Sequence, residues 1–296
     1  MALPETSLPG LSFGRSLVNL RIPPHRISFL PQVSNNSRRR SCCVAVIKRS
    51  PKRLKYSAPR FTKGGELVYV KIELLEGEDW KLEPVVELLK NGAVGVIPTD
   101  TVYAIVCDLK SHSAIERLRR IKDIETSKPL SILCRSLKDI DTYTMGFPRG
   151  NAEGHINIFR AVKHCLPGPY TFILPASKEL PKQCVKYGAA PKSRKSVGVR
   201  MPNDPICQSI LRKLDAPLIS TSVKWPLQDD WMVDPVIIAD TYEPEGLVFV
   251  VDGGVRVAEP STVVDMMGSV PTIIRPGKGP RQEWMAVKDE EVSGTY

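Results

Sequence analysis

Short apolar runs of four or five residues recur through the last three quarters of the chain, and they constrain its fold more than any other feature. They are Ala93–Ile97, Leu130–Cys134, Tyr170–Leu174, Val197–Arg200, Pro217–Thr221, Leu247–Val251, Thr262–Asp265 and Thr272–Arg275, preceded by an alternating stretch at Glu66–Leu75. Runs this short suit buried strands rather than helices. Helical spacing occurs between some of them. Leu82–Asn91 places Leu82, Val85, Val86, Leu88 and Leu89 on one face and ends at Gly92, a C-terminal stop. Ser113-x-x-Glu116 reads as a capping box that opens a helix carrying Ile115, Leu118 and Ile121. His155–Cys165 looks helical and stops at Pro167-Gly168-Pro169, and Asp204-Pro205 pairs an N-cap with a proline at the first helical position of a helix reaching about Leu214. The strands are too numerous, and too often not separated by helices, for a simple doubly wound sheet. One α/β domain on a twisted mixed sheet is expected.

Charge divides the chain. Residues 1–65 hold 13 Lys/Arg and the single acid Glu5, whereas residues 66–296 hold 42 − 13 = 29 basic and 32 − 1 = 31 acidic residues. The overall charge of +10 therefore belongs to the arm, not to the body, whose balance is −2. The arm is rich in serine (Ser7, Ser12, Ser16, Ser28, Ser34, Ser37, Ser41) and arginine (Arg15, Arg21, Arg26, Arg38, Arg39, Arg40) and lacks a continuous apolar core. This pattern reads as an organelle transit peptide rather than a secretory signal. The Met1-Ala2-Leu3 start and the Ser41–Ala45 stretch favour a chloroplast over a mitochondrion, with a basic RNA-binding tail as the bland alternative. Residues 1–64 are expected to be this disordered targeting arm and linker, 65–285 the folded domain and 286–296 a tail. No apolar run approaches the roughly 18 residues of a membrane span, so no membrane partner is expected.

Seven cysteines show no C-x-x-C spacing, and the four histidines show no H-x-x-x-H pattern. No metal site is expected from the chain itself, and the cysteines read as reduced, small apolar residues. Neither G-x-x-x-x-G-K-[ST] nor G-x-G-x-x-G is present, so a nucleotide would be held by scattered side chains. No histidine falls near the polar segments, which leaves no Ser-His-Asp arrangement and no catalytic nucleophile to name.

Four polar segments interrupt the apolar strands where a core has no use for them. They are Pro98–Tyr103, Lys122 to Ser131, Ser196–Pro202 and Ser220-Thr221-Ser222. Hydroxyls and cations at strand ends line ligand crevices in α/β folds. Lysines, arginines and serines suit phosphate and carboxylate groups. Positioning and charge neutralisation, rather than covalent catalysis, are the chemistry these residues fit. Taken one at a time, each segment also has a plain structural reading as a turn, a solvated helix end or a polar strand end.

An ordered set of motifs runs through these segments. It comprises Pro98-Thr99-Asp100-Thr101-Val102-Tyr103, Ile121-Lys122, Lys128-Pro129-Leu130-Ser131-Ile132-Leu133, Pro167-Gly168-Pro169-Tyr170-Thr171, Val197-Gly198-Val199-Arg200-Met201-Pro202 and Pro217-Leu218-Ile219-Ser220-Thr221-Ser222. Pro260–Asp265 and Ile274-Arg275-Pro276-Gly277 follow. The series resembles the YrdC-type threonylcarbamoyl-AMP synthases over about residues 80–280. The resemblance implies a YrdC-like fold, similar to the RibB-type α/β domain. It implies an activity that joins L-threonine, bicarbonate and ATP into threonylcarbamoyl-AMP and pyrophosphate, with Mg²⁺ carried by the nucleotide. The product would pass to a threonylcarbamoyl transferase that modifies tRNA, and family members can bind double-stranded RNA. Carried over residue by residue, Thr101, Arg200, Ser220 and Ser261 would hold threonine. Lys122, Lys128, Ser196, Ser222 and Arg275 would hold ATP.

The chain departs from the family pattern in three respects. Lys122-Asp123-Ile124 stands where the family has Lys-x-Arg, and Ser222-Val223-Lys224 stands where it has Ser-x-Asn. Trp225-Pro226-Leu227 replaces the Ser-Gly pair that follows the Asn. Lys224 offers a positive charge in place of the missing arginine. These departures define the alternative function, a catalytically silent YrdC-fold module that binds double-stranded RNA or a partner.

Overall fold

A computed structural model describes residues 67–73, 78–124, 130–148, 157–184 and 196–287. The expected targeting arm and Lys128 lie outside the described residues. In chain order the strands are β1 (Val68–Lys71), β2 (Gly95–Ile97), β3 (Ala104–Asp108), β4 (Ser131–Leu133), β5 (Tyr170–Pro175), β6 (Ser196–Arg200), β7 (Leu218–Ser222), β8 (Phe249–Asp252), β9 (Thr262–Asp265), β10 (Thr272–Arg275) and β11 (Ala286–Val287). The helices are α1 (Glu83–Lys90), α2 (His112–Ile121), α3 (Leu137–Tyr143), α4 (Ile158–Cys165), α5 (Pro205–Arg212) and α6 (Pro235–Tyr242). All eleven strands form one sheet in the order β1-β8-β2-β3-β7-β4-β6-β5-β9-β10-β11. Neighbours are parallel in β1–β8, β8–β2, β4–β6, β5–β9 and β10–β11, and antiparallel in the other pairs. The expected mixed α/β sheet is therefore the one observed. The last described residues, 286 and 287, extend it by pairing with β10.

Several helix ends follow from the sequence. Asp204 caps α5, its carboxylate accepting from the Cys207 N–H at 2.8 Å, with Pro205 at the first helical position. Gly92 adopts a φ of 79° just past the end of α1, a conformation glycine takes without strain. The α2 start differs from the expected capping box: Ser111, not Ser113, is the N-cap and accepts from Ala114 N at 3.3 Å. Four of these elements went unforeseen in the sequence: β3, β11, α3 and α6.

Strand alternation sends successive side chains to opposite faces, and the two faces here are covered unequally. On one face, Val96, Ile105, Cys107, Ile132, Val197, Val199, Phe172, Ile219 and Val264 join a single apolar cluster under α2, α3, α4 and α6. On the other, Ile97, Val106, Leu133, Leu218, Phe249 and Val251 pack under α1 and α5. That second cluster receives no residue from β5, β6, β9 or β10. From β6 onward, the described residues pack the sheet on one side only, and its other face holds a cavity. An aromatic group closes this half of the core: Phe172 lies 5.8 Å from the Tyr170 ring, 6.0 Å from Phe147 and 6.4 Å from Trp284. The Tyr170 hydroxyl donates to the Pro280 carbonyl at 2.7 Å, which ties the C-terminal segment to β5.

Candidate functional site

The uncovered face holds a cavity of about 500 Å³. Its floor follows from the alternation: Val197 and Val199 fill the core, so Ser196, Gly198 and Arg200 face outward. Ser131 of β4, Ser220 and Ser222 of β7, Thr171 of β5 and Ser261 join them. Gly198 has to be glycine for close approach, because a Cβ there would lie 2.6 Å from the Ser131 Oγ and 3.1 Å from the Thr171 Cγ2. The floor is therefore a shallow bed of hydroxyls. Ile173, Val263, Met267 and Ile274 make an apolar wall, with Asp265 beside it.

Arg200 is the cavity's most constrained cation. One terminal nitrogen donates both to Asp100 Oδ1 at 3.0 Å and to Thr101 Oγ1 at 2.9 Å. The Arg200 and Asp100 side chains are only 6% and 7% exposed. Asp100 Oδ2 accepts from the Asn203 N–H at 3.0 Å, and the Asp100 carbonyl accepts from Lys278 Nζ at 2.6 Å. Thr99 Oγ1 donates to the Val102 carbonyl at 2.6 Å and lies 3.1 Å from Thr101 Oγ1, so the Pro98–Tyr103 segment forms a rigid polar turn. Burial pulls the Arg200 guanidinium below its ordinary pKa, and Asp100 opposes that pull. Its buried Nε has no hydrogen-bond partner. An unpaired buried donor is expensive, and among the described residues this one finds no acceptor.

Arg275 is brought to the cavity by a break in alternation. The β9–β10 register shifts between Ile273 and Arg275, and both Ile274 and Arg275 then line the cavity. A regular strand would have sent Arg275 to the side of Ile273, which packs in the core. Such bulges re-aim side chains at the edge of binding sites. The guanidinium donates to the Ser261 carbonyl at 2.8 Å, and its buried Nε is unpaired. Ser261 Oγ is 2.7 Å from Thr171 Oγ1. Burial, and then the charge of Arg200, lower the Arg275 pKa, so the two guanidiniums feel each other across the site.

Of the residues expected to bind ligand, Arg200, Ser220, Ser261, Ser196, Ser222 and Arg275 share this one cavity. Thr101 sits behind it as an acceptor for Arg200. Lys122 is placed differently from the expectation and is not among the lining residues. It follows the C-terminus of α2, and its ammonium donates to the Lys224 carbonyl at 2.9 Å and to the Tyr242 hydroxyl at 2.8 Å. Two residues on, Ile124 packs against the main core cluster. The Lys-x-Ile segment is thus used for packing, which explains how an aliphatic residue is accommodated there. Sequence reasoning missed Asp265, which lines the cavity, and Trp231, whose ring centroid lies 5.7 Å from the Arg275 guanidinium. Asp265 was legible as an inward position two residues from Val263, whereas nothing in the sequence marks Trp231.

A mixed α/β domain that leaves one sheet face open above hydroxyls and two guanidiniums is built to hold a small anionic molecule. A family model described as telomere recombination, for Sua5, YciO and YrdC, matches residues 87–277. The chain belongs to this Sua5/YciO/YrdC family. It is 34% identical over 194 residues to the uncharacterized protein YciO of Escherichia coli K12, covering 66% of this chain and 87% of YciO. The crystal structure of E. coli YciO superposes with a TM-score of 0.62 at 30% identity, over 73% of this chain and 98% of that one. A threonylcarbamoyl-AMP synthase of Vibrio vulnificus is 32% identical over 141 residues, 48% of this chain and 70% of that protein. The crystal structure of Pyrococcus abyssi Sua5 complexed with L-threonine shares the fold, with a TM-score of 0.60 at 22% identity over 72% of this chain and 57% of that one.

Proposed function

We propose that this chain is a threonylcarbamoyl-AMP synthase, joining L-threonine, bicarbonate and ATP and releasing pyrophosphate. The observation that carries the reading is the Arg200 guanidinium, held by Asp100 and Thr101 on a cavity floored by hydroxyls. The guanidinium suits a threonine carboxylate, a charge-assisted contact of about 1.5–3 kcal/mol. Ser220 and Ser261 suit the substrate's polar atoms beside it, while Thr101 and Asp100 keep the guanidinium in place. The complex of Sua5 with L-threonine and the relatives named threonylcarbamoyl-AMP synthase support the same substrate.

In this reading, the threonine amine adds to bicarbonate with loss of water, giving a carbamate. A carbamate oxygen then attacks the α-phosphorus of ATP, and the α–β bridging bond breaks to release pyrophosphate. Mg²⁺ enters with the nucleotide as part of the substrate. Arg275, Ser196 and Ser222 line the same cavity and are the residues left to face the nucleotide, with Arg275 neutralising phosphate charge. A downstream transferase would place the product on tRNA.

Purified protein should release pyrophosphate from ATP only when threonine and bicarbonate are both present. A folded protein that binds threonine yet releases no pyrophosphate at high enzyme concentration would instead support a binding module that has lost turnover.

A further inference from the structure

Lys224, one of the residues that depart from the family pattern, lies against an indole ring that Arg275 also approaches. Lys224 follows the end of β7 by two residues, just past the fully buried Val223. It pairs across a tight turn with Trp231 as an isolated antiparallel bridge, and the Trp225 N–H closes that turn on the Asp230 carbonyl at 3.0 Å. Lys224 Nζ lies 4.2 Å from the Trp231 ring centroid. The Arg275 guanidinium lies 5.7 Å from the same centroid. Both distances are within reach of a cation–π contact, which holds the two cations no more than about 10 Å apart. The Lys224 backbone is fixed from elsewhere in the fold. Its carbonyl accepts from Lys122 Nζ at 2.9 Å and from the Tyr242 hydroxyl at 2.6 Å. The side chain forms an ion pair with Asp229, whose own side chain is almost fully exposed. Such a pair is weak, and a polyanion displaces it readily.

We propose that, in this chain, the polyphosphate end of the nucleotide is held by Lys224 and Arg275 against the Trp231 ring, and that Lys122 is a positioning residue that fixes Lys224 rather than a phosphate ligand. The inference rests on the cavity being the nucleotide site named above. Like charges meet in two pairs: Lys122 feels the charge of Lys224, and Arg275, which lines the cavity, that of Arg200. Like charges held this close are stabilised by an anion placed among them. The missing family arginine is thereby replaced not at Ile124, which packs in the core, but at Lys224, just past the end of β7.

Inorganic tripolyphosphate tests this directly, by calorimetry and by Trp231 emission on the full chain. Wild type should bind it, and Lys224→Ala should weaken binding about tenfold while leaving threonine affinity unchanged. The ligand-induced emission change should vanish in Trp231→Phe. Lys122→Met should also weaken tripolyphosphate binding, yet have no further effect in the Lys224→Ala background. A full additional loss in that background would mean that Lys122 touches phosphate itself, and would overturn the positioning role. No binding by wild type, or wild-type binding by Lys224→Ala, would overturn the site. Tripolyphosphate binding with this pattern, in a protein that releases no pyrophosphate, would leave the inference standing and sink only the synthase reading.

Discussion

Arg200 and Asp100, a hundred residues apart in sequence, meet at 3.0 Å behind the cavity floor with both side chains almost wholly removed from water. A buried pair of this kind is expensive to assemble and more expensive to break from one side. Asp100→Ala should lower stability by about 3–5 kcal/mol, because it strands the Arg200 charge. Arg200→Met should abolish threonine binding. Asp100→Ala with Arg200→Met should lose less than the sum of the two single changes, as read from urea unfolding midpoints.

Gly198 is the second point of strict geometry. Gly198→Ala should lower stability by about 1–3 kcal/mol through overpacking against Ser131 and Thr171, and weaken threonine binding by raising the floor. Adding Ser131→Ala removes the closest clash at 2.6 Å, so stability should partly return while the binding defect stays. Full recovery of both would remove Gly198 from the floor.

Lys122 supplies a pH dependence with a definite sign. Burial, reinforced by the charge of Lys224, pulls its pKa from the ordinary 10.5 down to about 8. The folded protein therefore sheds this proton near pH 8, while the unfolded chain keeps it until about 10.5. Between those values the unfolded state binds more protons, so the contribution of Lys122 to stability rises with pH. Below pH 8 both states are charged and the folded state carries the full burial penalty. Wild type should gain stability relative to Lys122→Met between pH 8 and 10, measured by urea unfolding at each pH. A constant difference would show that the lysine titrates normally.

Ile124→Arg restores the family's Lys-x-Arg spelling but not its chemistry. Because Ile124 packs against the core, the substitution should reduce stability by about 1–2 kcal/mol. ATP affinity, followed by calorimetry, should not rise. A gain in affinity would mean that the segment reaches the cavity in the liganded protein.

Much of this architecture was legible in the residues. Thr262–Asp265 and Thr272–Arg275 were read to their ends, since short apolar runs between polar turns suit strands. β3 escaped notice because the polar Pro98–Tyr103 segment before it drew the reading toward a loop. α6 was missed even though Asp234-Pro235 repeats the cap-and-proline signature of α5, because Val236 and Ile237 stay exposed and blur its apolar face. The cavity's membership was foreseeable from the motifs, but two of its devices were not. The bulge that turns Arg275 toward ligand leaves no mark in a four-residue run, and the partners of Lys122 lie more than a hundred positions away.

In β6, valines and ligand-facing residues interleave one by one, so both sides of the sheet are written in the same five letters. A one-position slip of that strand would plunge the Arg200 guanidinium into the hydrocarbon interior and turn the valines toward solvent. An insertion or deletion there would disrupt core and cavity at once. What this crevice accepts can therefore be altered in β6 by replacing residues, not by shifting them.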